Sequence, residues 1–272
     1  MTVHDWVRAA GARLAIAGVD ASRLEAQLFA AHAQGMDRTS VLAHPGALTP
    51  ALADELLERR LAGEPLAYIL GYREFYGRRF SVNPSVLIPR QETETLVEAV
   101  LQTAQSGARV LDVGTGSGCI AITLKLERPD LSVTAVDISE AALATARENS
   151  TDLGADVAFH YSDLFSDVSG AFDVIVSNPP YVADEALLSR EIREHEPPIA
   201  LFAGPDGMHL YGRMAETARP PLVAGGCLVV EVGDGMGDEV QAIFEVSGWQ
   251  VVGVHPDLGG MPRALALRRR QM

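Results

Sequence analysis

The stretch Leu111-Asp112-Val113-Gly114-Thr115-Gly116-Ser117-Gly118-Cys119-Ile120 decides the fold class. An apolar, β-branched run over residues 108–113 ends in three glycines at alternate positions, and the chain then takes up a helical pattern. Glycines there let the backbone adopt dihedrals closed to other residues and pass close to a ligand. Strand, glycine loop and helix in succession open a doubly wound α/β unit, which puts its ligands at the carboxyl ends of the strands. The texture continues outward. Ser132–Asp137, Phe172–Ser177 and residues 227–232 are short, apolar segments of the kind buried in parallel sheets, with helical patterns such as 139–149 between them. Residues 249–254 and 264–267 read as two closing strands.

Upstream the pattern differs. Residues 1–71 are rich in Ala, Leu and Arg, with Leu24, Leu28 and Ala31 on one helical face and Leu52, Leu56 and Leu57 on another, which predicts a small helical domain. His4, His32 and His44 are isolated there, as surface or packing residues are, not metal ligands. Phe75, Tyr76, Phe80 and Val82 flank Gly77 as two extended runs, predicting a β-hairpin linker over 72–89. A helix is expected over 92–105, opening an α/β domain that occupies 90–272.

Composition narrows the function classes. Of 272 residues, 22 are Lys or Arg and 36 are Asp or Glu, a net charge of -14. Broad nucleic-acid binding relies on neutralising phosphates with basic surface, so direct nucleic-acid binding is not expected. Two cysteines, Cys119 and Cys227, fit a reducing compartment rather than a disulfide-stapled secreted fold. Residues 1–19 carry Asp5, Arg8 and Arg13 and build no uninterrupted apolar run, so neither a signal peptide nor a membrane span is expected. A cytoplasmic monomer is the expectation.

The glycine loop predicts a nucleoside-containing cofactor. Asp137 ends the next strand, where an acid accepts hydrogen bonds from ribose hydroxyls. Taken alone the loop is ambiguous, because residues 116–121 also satisfy the G-x-G-x-x-A dinucleotide pattern. Three features favour S-adenosylmethionine over a nicotinamide dinucleotide: Asp112 just before the loop, placed to meet an ammonium group; the glycines at 114, 116 and 118; and Asp163, within reach of an adenine amino group. Cys119 has no partnering histidine near it in sequence and reads as a small packing residue.

The chemistry is read from Asn178-Pro179-Pro180-Tyr181, directly after the strand 172–177. Two prolines can simply make a rigid turn. At the end of a central strand they can also hold a ligand. A planar amide or exocyclic amine has two N–H donors and a delocalised lone pair. The Asn178 side-chain oxygen and the Pro179 carbonyl would accept both hydrogens, aligning the nitrogen and favouring charge developing on it, while Tyr181 packs against the flat group.

Glycine loop and tetrapeptide together resemble the amino-methyltransferases, both the adenine-N6 DNA enzymes and the glutamine-N5 protein enzymes. The segments 63–71, 74–77, 82–90, Glu92-Thr93-Glu94, 196–201 and 204–207 are similar to the PrmC/HemK family, so the resemblance spans nearly the whole chain. It implies a Rossmann-like class I S-adenosylmethionine-dependent methyltransferase with a seven-stranded, mostly parallel sheet. It also implies methylation of the glutamine in the Gly-Gly-Gln motif of class I peptide chain release factors, yielding S-adenosylhomocysteine without a metal. On that resemblance Gly114, Thr115, Gly116, Ser117, Gly118, Asp137 and Leu164 line the cofactor site. Asn178 faces both ligands, Asn178 to Tyr181 hold the glutamine, and the helical domain helps dock the release factor. Gln91, Leu164, Met236 and Met261 depart from residues common in the family; Leu164 stands where an aromatic frequently flanks adenine. The alternative is an adenine-N6 DNA methyltransferase, against which the charge of -14 and the lack of an inserted recognition domain weigh. A nicotinamide-dependent oxidoreductase explains neither the tetrapeptide nor Asp163, and a non-catalytic adaptor leaves the intact tetrapeptide without a use.

Overall fold

A computed structural model describes residues 1–270. The chain divides into two compact units, Met1–Gly71 with Ser189–His195, and Tyr72–Leu188 with the chain from Glu196 onward.

The first unit is helical: α1 (Val3–Ile16), α2 (Ser22–Gln34), α3 (Arg38–Ala43), α4 (Leu52–Leu61) and α5 (Leu66–Leu70). The caps follow the local sequence. Thr2 accepts from the Asp5 N–H at the start of α1, Asp37 from the Ser40 N–H at the start of α3, and Gly35 ends α2 in the left-handed conformation. Trp6, Leu14, Phe29, Leu56 and Leu57 form the buried faces. Into this apolar interior reaches one ionic group: Arg60 Nε bonds Glu25 Oε2 at 2.7 Å and Arg60 Nη1 bonds Glu191 Oε2 at 3.0 Å. Glu191 lies in the segment that returns to this unit from far along the chain.

The second unit begins with a hairpin of β1 (Tyr72–Phe75) and β2 (Arg78–Ser81). Its two loop residues, Tyr76 and Gly77, have φ of 50° and 71°, the sign that a primed two-residue turn demands. Glu94 accepts from the Tyr76 N–H at 2.8 Å, which holds the non-glycine residue there. Then follow α6 (Glu94–Thr103), β3 (Arg109–Val113), α7 (Cys119–Glu127), β4 (Ser132–Asp137), α8 (Glu140–Leu153), β5 (Ala158–Tyr161) and β6 (Phe172–Ser177). After them come α9 (Arg190–His195, in the helical unit), α10 (His209–Thr217), β7 (Leu222–Glu231), α11 (Gly237–Val246), β8 (Trp249–Pro256) and β9 (Pro262–Arg269).

The seven-stranded sheet has the order β5-β4-β3-β6-β7-β9-β8, with β9 the one antiparallel member. Successive side chains of β3 alternate between layers: Val110 packs with Phe75 and Leu96, while Leu111 packs with Tyr211 and Phe244. Each such buried Val or Leu contributes roughly 1.5–3 kcal/mol of transfer free energy. The order reverses between β3 and β6, so the loops after these strands face one crevice.

Element ends differ from the sequence reading where pairing, not hydropathy, sets them. β8 and β9 run to Pro256 and Pro262 because they pair antiparallel along their length. The helix expected from residue 92 starts at Glu94, after Thr93.

Candidate active site

The site is a cavity of about 320 Å³ at the carboxyl ends of β3, β4 and β6, within the range of pockets that hold drug-sized ligands (roughly 300–1,000 Å³). Among the expected residues, Gly114, Thr115, Gly116, Ser117, Asp137, Asp163, Leu164, Asn178 and Pro180 line it. Asp112, Gly118, Pro179 and Tyr181 do not.

The glycine loop is shaped from below. The Gly114 and Thr115 N–H groups both donate to the Val136 carbonyl at the end of β4, at 2.9 and 3.0 Å. Gly114 and Gly116 have φ of 75° and 56°, and a Cβ on either would project into open space. Asp112 is the acid expected to meet an ammonium group. Its carboxyl is fully buried, with Oδ2 accepting from Thr115 Oγ1 at 2.7 Å and from the Ala121 N–H at 3.3 Å. Burial pushes it up to about 7, against those two bonds. Asp112 Oδ2 therefore ties the loop to the first turn of α7, while Oδ1 has no hydrogen-bond partner. Gly118 serves packing: a Cβ there would lie 2.8 Å from Ile122 Cδ1 and 3.2 Å from Ala146 Cβ, so glycine lets α8 approach α7. Cys119, as expected, is a buried packing residue, its thiol pushed up to about 12 by burial.

Asp137 presents a carboxylate to the cavity. Oδ2 accepts from the Gly116 N–H and Oδ1 from the Ser139 N–H, both at 2.8 Å, which orients it while each oxygen keeps a lone pair. Burial raises its pKa and the backbone bonds oppose this. Asp163 is paired with Arg213, Oδ2 to Nη2 at 2.8 Å, and both line the cavity. Beside them Leu164 holds a left-handed φ of 53°, costing about 1–2 kcal/mol for a residue with a Cβ. The buried Ser162 hydroxyl donates to the Leu164 carbonyl at 3.0 Å and accepts from the Asp167 N–H at 3.2 Å, which fixes that turn.

The tetrapeptide is anchored at both ends. Ser177 Oγ donates to the Val113 carbonyl at 2.7 Å, fastening the ends of β6 and β3 together. Beyond Tyr181, the Val182 N–H donates to Leu201 O and the Ala203 N–H to Val182 O, each at 2.9 Å. Asn178 Nδ2 donates to Thr93 Oγ1 at 3.2 Å, which leaves Oδ1 as the acceptor of this side chain. Pro179 is buried and does not line the cavity. The Tyr181 hydroxyl is turned to Glu231 Oε1 at 3.4 Å, with its pKa raised by burial and then by that carboxyl.

Several contributors escaped the sequence reading. Thr93 sits just before a helix and reads as a cap, so its partner Asn178 was hidden. Arg213 lies on an ordinary amphipathic helix. Glu231 carries one signal in the sequence: an acid at the carboxyl end of an apolar central strand. Among the described residues, no group of three or more His, Cys, Asp or Glu side chains is arranged to hold a metal ion. Nor is any helix among them long and apolar enough to cross a membrane.

Comparison with known proteins agrees with this architecture. The PrmC N-terminal domain model matches residues 5–71 and the methyltransferase small domain model matches residues 91–194. The release factor glutamine methyltransferase of Neisseria gonorrhoeae is 46% identical over 250 residues, covering 89% of this chain and 91% of that one. That of Koribacter versatilis is 43% identical over 279 residues, covering 99% of each. The crystal structure of a methyltransferase from Pyrococcus furiosus superposes with a TM-score of 0.56 at 20% identity, over 71% of this chain and 89% of that one, and so shares the fold. The α/β unit has the class I S-adenosylmethionine-dependent methyltransferase fold, and the chain belongs to the release factor glutamine methyltransferase family.

Proposed function

We propose that this protein methylates the side-chain amide N5 of the glutamine in the Gly-Gly-Gln motif of class I peptide chain release factors, using S-adenosylmethionine. The observation that carries the reading is the orientation of Asn178. Its Nδ2 is engaged by Thr93, so Oδ1 remains to accept a hydrogen from an amide at the cavity.

The residues fit the cofactor. Gly114 and Gly116 leave a backbone cradle that a Cβ would intrude upon, and Asp137 keeps spare acceptor capacity at the ribose position. Ser117 and Leu164 line the same cavity, and Asp163, steadied by Arg213, is an acceptor for an exocyclic amine. Bound S-adenosylmethionine supplies an electrophilic sulfonium methyl and leaves as S-adenosylhomocysteine. The sulfonium charge already activates that methyl, so the proposed transfer calls for no metal.

The protein's own part is orientation. An amide nitrogen is a weak nucleophile because its lone pair is delocalised. Asn178 Oδ1 accepts one of its hydrogens, which sets the lone pair toward the methyl and favours charge developing on nitrogen. The N-protonated, N-methylated amide is strongly acidic and loses its proton to water. The helical unit is assigned a docking role for the release factor. Its site of action is the cytoplasm, where both cysteines, free and buried, stay reduced.

The test is to incubate the protein with labelled S-adenosylmethionine and a release factor, with and without its Gly-Gly-Gln glutamine replaced. Label on the unaltered factor alone is expected; label on DNA, or on neither protein, overturns the reading. Asn178→Ala is expected to lower turnover at least 100-fold, of the order lost with an electrostatic donor in an active site, with cofactor affinity retained.

A further inference from the structure

The helical unit carries a groove of its own, about 400 Å³ in volume, and none of its lining residues belongs to the α/β unit. Val3 and Val7 of α1 and Val41 of α3 give it an apolar floor. Two guanidinium groups line it as well, on the exposed residues Arg8 of α1 and Arg23 of α2. The Arg23 guanidinium makes no hydrogen bond or ion pair among the described residues. Arg8 meets only the exposed Asp5, at 3.6 Å, and a surface pair of that kind contributes little.

The third polar group is Gln27, which lines the groove although it is 6% exposed. Arg38 Nε donates to its Oε1 at 2.7 Å, so Nε2 is the free end of the amide. That Nε2 is not sealed from solvent and has no hydrogen-bond partner among the described residues. A nearly buried donor without an acceptor is costly, and a ligand acceptor at the groove removes the cost.

Three donors, two of them cationic, over an apolar floor match a carboxylate carried on an apolar segment. A bare anion would leave the valines uncovered, and a wholly apolar peptide would leave all three donors unpaired. A nucleic-acid backbone offers phosphates without the apolar part, and a chain of net charge -14 opposes a polyanion. We propose that this groove docks an acidic segment of the release factor, with one Asp or Glu side chain held by Arg8, Arg23 and Gln27 and an apolar neighbour lying on Val3, Val7 and Val41. The inference rests on the methyl-transfer reading above and gives the docking role of the helical unit a surface and a chemistry. Such a site adds affinity and takes no part in methyl transfer, so its loss raises KM for the release factor and leaves kcat.

The experiment measures kcat, KM for the release factor, cofactor affinity, melting temperature and sedimentation for the full chain and three variants. Arg8→Glu with Arg23→Glu is expected to raise KM by about 10-fold or more, with kcat at saturation, cofactor affinity and melting temperature unchanged. Raising the salt is expected to raise KM of the unaltered protein and to lose that effect in this variant. Gln27→Glu keeps the Arg38 bond but replaces the donor by a like charge, and is expected to raise KM as well. Arg8→Lys with Arg23→Lys keeps both charges and is expected to stay near the unaltered KM. The inference is overturned if the charge reversal or Gln27→Glu leaves KM near normal, or if the lysine variant fails as badly as the reversal. It is overturned too if kcat, cofactor affinity or melting temperature falls with the rise in KM, which would mark a structural role. An unaltered protein that sediments as a dimer and dissociates on charge reversal would make a second copy of this chain the occupant and overturn it likewise. Failure of the unaltered protein to methylate the release factor overturns the underlying reading instead.

Discussion

Gly207 shows how one residue type can be dictated by a backbone it does not neighbour in sequence. Its φ is 77°, and a Cβ would lie 2.3 Å from the Tyr181 carbonyl oxygen and 3.0 Å from its carbon. Both the left-handed conformation and the missing side chain are needed for the 204–207 turn to sit against the tetrapeptide. Gly207→Ala is expected to displace Tyr181 and destabilise the α/β unit by about 1–3 kcal/mol, the usual cost of overpacking. Chemical denaturation reads the loss. Turnover is expected to fall together with stability, and a variant with unchanged stability and rate would show that the close approach is dispensable. Asp112 and Asp137 make the complementary point: two acids near the carboxyl ends of adjacent strands, one fully buried to shape the loop and one facing the cavity.

At the scale of elements, the glycine loop is coupled to the hairpin through one side chain on α8. Asn149 is 1% exposed. Its Oδ1 accepts from the Ser81 N–H at 2.7 Å, and its Nδ2 donates to Ser81 O at 3.0 Å and to Ser117 O at 2.9 Å. A single amide thus satisfies the edge of β2 and the glycine loop that lines the cavity. Asn149→Ala would leave three backbone groups without partners, two on the half-buried Ser81 and one on the buried Ser117, the last costing about 1–3 kcal/mol before any water enters. The expected result is a lower melting temperature and weaker binding of S-adenosylmethionine, read by calorimetry. Loss of stability with cofactor affinity intact would confine Asn149 to the hairpin.

On the scale of the whole molecule, the chain leaves the α/β unit after Leu188, contributes Ser189–His195 to the helical unit and returns at Glu196. Both ends of that excursion are fastened by charge. Arg60, with a side chain 10% exposed, bonds Glu25 and Glu191 within the helical unit. Glu196, within the α/β unit, pairs with Arg90 and accepts from the Ile88 N–H at 3.1 Å. Removing one partner of a buried pair is costly because the other charge is left uncompensated. Arg60→Ala is accordingly expected to destabilise the helical unit by roughly 3–5 kcal/mol through Glu25 and to open 189–195 to protease. Glu191→Ala, at a half-exposed acid, is expected to cost much less. Equal proteolysis of the Arg60 variant and the unaltered protein would remove the anchoring role.

The sequence by itself determined the class of fold, the two textures of the chain, the glycine loop and the tetrapeptide. Those properties live in local order: hydrophobic period, glycine spacing and the residue at the end of each strand are set by near neighbours. Only the tertiary structure decided what each polar side chain does. Asp112 became a buried tie because the β3–α7 turn folds over it, and Tyr181 turned to Glu231. Thr93 gave up a helix cap for Asn178, 85 residues away. Such assignments depend on which donor meets which acceptor once water is excluded, and that pairing is fixed by packing between distant segments, not by any short stretch of sequence.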